Sequence, residues 1–325
     1  MKSFCYSFLL LINIIFILLS FVILFNSCSV QSVSITTIKS KTKESFKDQI
    51  DTNFKNNTKF QKNINTENND IISIKSYPIN TNSNNKKVDI ASSIPVLTYH
   101  HILNDEDNSY GKNAFIVSTK NFMEQMHLLK NNGYDTITLQ HLDAYIKGEL
   151  TIPRKSVLIT FDDGYKSNYI CAYPILKELS FKGTIFIVTN WIKDTIEEFN
   201  PLLFQMMSWP EIEDSKDVFE YASHTHNLHF EDENNICAFL SSSKETIEND
   251  LTKSRLLLNN TPYIAYPYGK IDENTINIVK NLGFTMGFTV SEGNIKPGDN
   301  IYMLKRQAIF QSTTLDQFKK IVGID

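Results

Sequence analysis

The chain has 325 residues, of which 42% are hydrophobic and 12% aromatic, so it can bury a sizeable core and is neither wholly disordered nor collagen-like. Its 32 basic and 36 acidic side chains give a net charge of -4, and this balance offers no basic face for nucleic acid. The four cysteines are too few for a disulfide framework in a chain of this length.

Residues 1–28 form an apolar segment that we predict to be a membrane anchor or export signal. Its apolar run ends at Phe25 and is about as long as a bilayer core needs, roughly 20 residues. The following residues resemble a bacterial lipoprotein processing site with Cys28 as the lipidated residue, although Phe25 and Asn26 match that site poorly. Lipidation at Cys28 and an uncleaved spanning helix are both open alternatives, and either places the rest of the chain outside the cytoplasm.

Residues 29–90 are predicted to be a polar, flexible linker. The tract is rich in Asn, Lys, Thr and Ser, and its few large apolar residues follow no helical or strand period. It therefore cannot bury enough apolar surface to offset the entropy lost on ordering. Docking of part of this tract on the folded domain is the alternative. The folded domain is predicted to span residues 91–325.

Strands and helices alternate through the rest of the chain. Strands are predicted over residues 96–99, 136–139, 157–161, 184–188, 218–222, 263–265, 285–289 and 304–308. Helices are predicted over residues 119–133, 142–146, 169–179, 244–258 and 273–282. This alternation predicts an α/β fold with a parallel sheet, either open or closed into a barrel.

Parallel α/β proteins place their functional groups at the carboxyl ends of strands, and three predicted strand ends carry unusual residues. These are Asp162-Asp163-Gly164, the three histidines 224, 226 and 229, and Tyr266-Pro267-Tyr268-Gly269. An Asp-Asp-Gly alone is often only a turn, and a histidine cluster alone can be a surface accident. Their joint occurrence favours a divalent metal held by imidazole nitrogen and carboxylate oxygen.

In these motifs the chain resembles the NodB-homology polysaccharide deacetylases, carbohydrate esterase family 4. The resemblance is carried by Thr160-Phe161-Asp162-Asp163-Gly164, His224-Thr225 and Tyr266-Pro267-Tyr268-Gly269, and it covers residues 94–310. It implies a distorted (β/α) barrel and metal-dependent hydrolysis of N-acetyl groups on an acetylated glucosamine-containing polysaccharide. Nothing in the sequence indicates a protein partner.

The resemblance also implies the metal ligands, namely Asp163, His224 and a second histidine. The commonest family spacing puts that histidine four residues after the first, where this chain has Leu228. We expect His229 instead, because the longer spacing is similar to that of the subgroup that deacetylates biofilm poly-N-acetylglucosamine; His226 is the competing candidate. Zinc is the expected metal, and Co, Ni, Mn and Fe also suit this ligand set.

By the same resemblance, Asp162 is the general base, since it adjoins a ligand without being one and can accept the proton of a water activated by the metal. The resemblance assigns stabilisation of the tetrahedral oxyanion to the metal and to the backbone N–H of Tyr268. Pro267 and Tyr165 are further candidates for substrate binding.

Two residues that the family usually supplies are missing. Ala265 stands where an Arg normally orients the base, so Arg306 is the candidate to replace it. No histidine follows His229, so the resemblance assigns the general acid to His100, with a structural hydrogen bond as the alternative role. Because adjacent strand residues point in opposite directions, we expect only one of His100 and His101 to face the site.

Aromatic residues and cysteines complete the candidates. Trp191 and Trp209, with Tyr165, are candidates for a sugar-stacking platform, and core packing is the equally weighted alternative. Cys171 and Cys237 are expected to be small, unpaired core residues.

The sequence thus predicts an extracytoplasmic, membrane-tethered, metal-dependent N-deacetylase of an exported polysaccharide, with poly-N-acetylglucosamine favoured. Peptidoglycan is the alternative substrate. A glycan-binding relative without catalysis is the alternative class of function, suggested by the missing Arg and the missing carboxyl-terminal His. The presence of Asp162 argues against it, since a binding module needs no general base.

Overall fold

A computed structural model describes residues 89–111 and 113–324. The predicted anchor at residues 1–28, with Cys28, and all but the last two residues of the predicted linker lie outside the described residues. Within the described ranges, none of the helices is both long enough and apolar enough to span a bilayer.

The described residues fold into alternating strands and helices. The strands are β1 (Val96–Tyr99), β2 (His101–Leu103), β3 (Ile116–Ser118), β4 (Asp135–Thr136), β5 (Ser156–Asp163), β6 (Gly183–Ile187), β7 (Phe219–Ser223), β8 (Tyr263–Ala265), β9 (Met286–Glu292) and β10 (Leu304–Ala308). The α-helices are α1 (Thr119–Asn131), α2 (Leu139–Ile146), α3 (Tyr173–Glu178), α4 (Trp209–Asp214), α5 (Ala238–Ser241), α6 (Lys244–Leu257), α7 (Glu273–Asn281) and α8 (Leu315–Val322). A π-helical stretch, Asn168–Ala172, leads into α3.

The parallel sheet closes on itself. Its strand order is β1, β10, β9, β8, β7, β6, β5 and β4, and every neighbouring pair is parallel. Strand β1 pairs with β10, where Leu97 lies opposite Gln307, and also with β5, where Leu97 lies opposite Ile159. These two pairings close a barrel and leave β4 outside it, beside β5. The predicted parallel α/β fold is confirmed, and the closed form is the one observed.

The barrel is held by apolar strands that are covered on both faces. Strand β5 is buried along its whole length, as expected for a strand between barrel interior and outer helices. The Tyr99 ring lies 5.1 Å from Phe122 on α1 and 5.6 Å from Phe161 on β5, and its hydroxyl donates a 2.7 Å hydrogen bond to Gln125. Aromatic packing of this kind fixes the first strand against its helix and its neighbour.

Some predicted elements differ from the structure for local reasons. Residues 136–139 were expected to be one strand, but pairing with β5 ends at Thr136, and Thr138 caps α2, which begins at Leu139. Strand β5 extends two residues further than predicted and includes both Asp162 and Asp163. Strands β2 and β3 form a separate two-stranded sheet; at three residues each, they are too short to show a period.

The two described cysteines behave as predicted. Cys171 and Cys237 are both buried and unpaired. Burial raises the pKa of each thiol, which suits small core residues rather than reactive ones.

Candidate active site

A cavity of about 720 Å³ opens at the carboxyl ends of the barrel strands. This is the edge where parallel α/β barrels carry their chemistry. Among its lining residues are most of the predicted site residues, namely His100, Asp162, Asp163, Tyr165, Trp191, His224, His229, Tyr268 and Arg306. The closed sheet therefore gathers into one space side chains that are far apart in the sequence.

Three possible metal ligands converge in this cavity. Asp163 ends strand β5, and its Oδ1 lies 3.6 Å from His224 Nε2 and 3.5 Å from His229 Nε2. The potential ligand atoms of the three residues all lie within 4.8 Å of one another. Although Asp163 Oδ1 is buried, it has no hydrogen-bond partner among the described residues. A buried carboxylate oxygen without a partner is costly, so this position suits a cation.

The tautomer of His224 supports the same interpretation. Its Nδ1 lies 2.7 Å from the Ala265 carbonyl oxygen, which can only accept, so Nδ1 carries the proton and the Nε2 lone pair faces Asp163. Burial lowers the pKa of His224 to about 3, which keeps the imidazole neutral, and burial raises the pKa of Asp163 to about 6. Two neutral imidazoles and one carboxylate form a donor set that fits a divalent metal ion.

His226, the competing candidate, points elsewhere. Its Nδ1 lies 2.9 Å from the Thr189 hydroxyl, and it is not one of the two histidines grouped with Asp163. Burial lowers the pKa of His226 to about 4, so it too is neutral. The geometry thus brings His229, rather than His226, to Asp163.

Asp162 and Arg306 form a buried ion pair beside the metal candidates. The guanidinium donates through Nη1 and Nη2 to the two carboxylate oxygens, each at 2.7 Å, and both side chains are almost fully buried. Arg306 Nε is fixed in turn by the Thr289 carbonyl at 3.0 Å. Burial is the largest single influence on Asp162 and raises its pKa, but the charge and hydrogen bonds of Arg306, together with the nearby His224 and His100, outweigh burial and hold that pKa well below its usual range.

This pair places Arg306 on Asp162, as expected for a residue that replaces the Arg missing at position 265. The carboxylate of Asp162 stays ionised, its plane is set by a bidentate contact, and each oxygen keeps a second lone pair. An ionised, oriented carboxylate with spare lone pairs is suited to accept a proton.

Both histidines after β1 line the cavity, so the expectation that only one would face it was wrong. His100 lies between the end of β1 and the start of β2, where strand alternation does not apply. His100 is half-buried, and its ring centroid is 4.8 Å from that of Phe115. His101 is buried, its Nδ1 contacts the Ser167 hydroxyl, and its ring stacks on Tyr165 at 4.8 Å.

The turn after β8 presents Tyr268 beside His229, with the two ring centroids 4.5 Å apart. Tyr268 has φ 56°, and burial raises the pKa of its phenol to about 12, so the ring is neutral. The next residue must be glycine, because a Cβ on Gly269 would lie 2.5 Å from Val290 N. Pro267 is buried and is not among the cavity-lining residues, so it shapes this turn and does not reach a ligand.

The two tryptophans have different surroundings. Trp191 lines the cavity, and its ring meets His229 edge-on at 5.2 Å. Trp209 begins α4, lines a separate groove and packs on the core, so the core-packing alternative applies to it. Tyr165 lines the cavity as expected. Phe204, which no pattern in the sequence singled out, also lines it and lies 4.1 Å from Tyr110, centroid to centroid.

Comparison with known proteins agrees with this arrangement. The family model "Polysaccharide deacetylase" matches residues 150–287. A poly-beta-1,6-N-acetyl-D-glucosamine N-deacetylase of Staphylococcus aureus is 33% identical over 199 residues, which are 59% of this chain and 67% of the relative. The Staphylococcus epidermidis protein of the same name is 30% identical over 261 residues, which are 75% of this chain and 89% of the relative.

Solved structures are similar as well. IcaB from Ammonifex degensii superposes with a TM-score of 0.61 and 26% identity, over 72% of this chain and 97% of that structure. The Streptococcus pyogenes deacetylase PplD, in complex with acetate, gives a TM-score of 0.60 and 26% identity, over 71% of this chain and 98% of that structure.

Proposed function

The chain belongs to the polysaccharide deacetylase family and is a hydrolase of amide bonds on acetylated polysaccharide, and we propose that it N-deacetylates poly-β-1,6-N-acetylglucosamine with the help of one divalent metal ion. The observation that carries this proposal is the position of two carboxylates in one cavity. Asp163 Oδ1 faces two neutral imidazoles, while Asp162 is held ionised by Arg306.

Asp163, His224 and His229 would hold the metal. When bound, the cation supplies Lewis-acid chemistry, since it lowers the pKa of water and polarises an acetamide carbonyl. Zinc is the preferred candidate, and Co, Ni, Mn and Fe suit the same two nitrogens and one oxygen.

The protein's own side chains then move the protons. Asp162 accepts a proton from the attacking water, whose oxygen bonds to the acetyl carbon. The developing oxyanion accepts a hydrogen bond from the Tyr268 N–H. As the carbon–nitrogen bond breaks, His100 donates a proton to the amine, and the products are acetate and a glucosamine residue.

Three features support a poly-N-acetylglucosamine substrate. The relatives of this chain carry that substrate in their names. The longer spacing between His224 and His229 resembles the same subgroup. Trp191 and Tyr165 line the cavity and offer aromatic faces on which a pyranose ring can stack.

We also propose that the domain acts outside the cytoplasm, with residues 1–28 as anchor and residues 29–90 as tether. The apolar run and the polar tract support this placement. In cell fractionation the full chain should sediment with membranes. Release of a Cys28→Ala variant would identify lipidation, whereas retention would identify a spanning helix.

An amine-release assay tests the proposed reaction. Purified protein is incubated with β-1,6-linked N-acetylglucosamine oligomers and, separately, with peptidoglycan, each with and without a chelator. We expect free amine from the oligomers, loss of the signal with chelator, and recovery with added Zn²⁺. If amine is released faster from peptidoglycan than from the oligomers, peptidoglycan is the substrate and the proposed one is wrong. If amine release is unaffected by complete metal removal, the proposed metal dependence is wrong.

A further inference from the structure

The loop from His224 to His229 has to deliver two imidazoles to the same carboxylate oxygen although its spacing is one residue longer than the commonest one. Thr225 within it has φ 76°, which is an unfavourable backbone conformation for a β-branched residue. Something outside the loop must therefore hold this conformation.

Asp250 on helix α6 makes the contacts that do so. Its Oδ1 accepts from the backbone N–H of His226 and its Oδ2 from the backbone N–H of Asn227, each at 2.7 Å. Asp250 is 8% exposed, and within residues 89–111 and 113–324 it makes no ion pair. Successive N–H groups that point to one side form an anion-binding concavity, and here both oxygens of one buried carboxylate fill it.

The opposite edge of the loop is held by the end of the β6 region. Two carbonyl groups of the histidine loop accept hydrogen bonds from backbone N–H groups that follow β6. The Thr225 carbonyl accepts from Thr189 N at 3.2 Å, and the His226 carbonyl accepts from Asn190 N at 2.9 Å. The loop is thus fixed on two sides, the N–H groups of His226 and Asn227 by Asp250 and two of its carbonyl groups by residues 189 and 190, while Ser223 Oγ accepts from the Thr225 N–H at 3.2 Å. Leu228 then packs in a core cluster with Ile247 and Leu251, both on α6.

We propose that Asp250 is a positioning residue of the metal site, which fixes the longer histidine loop so that His229 Nε2 reaches Asp163. This inference rests on the proposed metal function of Asp163, His224 and His229. Asp250 itself contacts only the loop backbone, so it acts through His229 and not on the metal or the substrate.

The test compares Asp250→Asn with a matched control on the same helix. An amide keeps one acceptor oxygen but turns an NH₂ group towards a backbone N–H, so the loop loses one anchor. Ser254, one turn further along α6, is fully buried, and its hydroxyl lies 2.8 Å from the Ser223 hydroxyl. Ser254→Ala therefore removes a buried hydrogen bond between the same helix and β7 without removing a contact to His226 or Asn227.

The experiment measures the affinity of full-length, metal-stripped protein for Co²⁺. Calorimetry and visible absorption both report the binding. We expect Asp250→Asn to weaken Co²⁺ binding by about 10- to 100-fold, the usual effect of losing a residue that orients a metal ligand, and Ser254→Ala to stay within about threefold of wild type. Melting temperatures separate this effect from general destabilisation, which both variants should show.

Equal Co²⁺ affinity for Asp250→Asn and Ser254→Ala would overturn the proposal and leave Asp250 as a structural anchor. If Asp250→Asn does not fold, Asp250→Glu keeps the charge and displaces the carboxylate by one methylene; affinity equal to that of the control would again contradict the proposal. Absence of Co²⁺ binding by the wild type would instead refute the proposed metal site, and the role of Asp250 with it.

Discussion

The two halves of the cavity are built differently. In one half the side chains lie on strands, with Asp162 and Asp163 on β5 and Arg306 on β10. In the other half the side chains lie on loops that connect strands, namely the histidine loop after β7 and the Tyr268 turn after β8. The first half is positioned by barrel hydrogen bonds that any parallel strand forms, whereas the second depends on particular contacts such as those of Asp250.

This difference explains how the chain replaces the Arg that the family usually has at position 265. Strand β1 pairs with both β5 and β10, so the two strands that carry Asp162 and Arg306 flank the same neighbour. Inside a closed barrel, the end of any strand can supply a partner for the base.

The largest expected effect lies in the strand-borne half. Asp162→Asn should bind metal normally but lose turnover at the upper end of the range of about 10²–10⁴-fold that a positioned base contributes. Glu220→Gln is the matched control, because Glu220 is another inward carboxylate on β7 that accepts from Leu139 N and Thr184 Oγ1, each at 2.7 Å, outside the cavity. Steady-state amine release checks both variants. Near-normal turnover of the Asp162→Asn variant would show that Asp162 is not the general base.

The proposed acid, His100, lies in a third connection, between β1 and β2. His100→Ala should retain metal and lose about 10²–10⁴-fold in amide hydrolysis, because an amine is a poor leaving group without a proton. An activated aryl acetate needs no such proton, so its hydrolysis should change much less. Rates of one variant on the two substrates are compared directly. An equal loss on both would give His100 a structural role and leave the acid unassigned.

Arg306 tests whether the bidentate contact matters beyond its charge. Arg306→Lys keeps a cation but cannot donate to both oxygens of Asp162 at once, so the carboxylate plane is no longer fixed. Misorientation of this kind should lower kcat by up to about 10²-fold with little change in metal affinity. If kcat is unchanged while the protein melts earlier, the pair serves stability alone.

The smallest expected effect separates the two tryptophans. Trp191→Ala removes an aromatic face of the cavity and should raise KM for glucosamine oligomers by about 2- to 10-fold, the equivalent of about 0.5–1.5 kcal/mol. Trp209→Ala should lower the melting temperature and leave KM unchanged, since Trp209 packs against the core. The reverse pattern would place the sugar platform at the groove beside α4.

The two halves also differ in how far the sequence could predict them. Asp162 and Asp163 could be predicted because the apolar strand β5 ends in them. Arg306 lies in the middle of β10 and was a candidate only because the family resemblance left the base without its usual Arg. The spacing of His224 and His229 favoured the two imidazoles that the structure brings to Asp163, but Asp250, Thr189 and Phe204 carry no local signal. Their contacts join segments about 20 to 100 residues apart, and only the folded chain shows them. The short strands β2 and β3 were missed for a simpler reason, since three residues show no period.

The most direct test of the metal site is a crystal structure of the Zn²⁺-loaded protein with anomalous scattering measured at the zinc edge. The proposed function predicts a single zinc ion bound by Asp163 Oδ1, His224 Nε2 and His229 Nε2, with Asp162 still paired to Arg306. A zinc ion bound by His226 in place of His229, or ordered side chains at all three ligand positions with no zinc between them under saturating Zn²⁺, would contradict it.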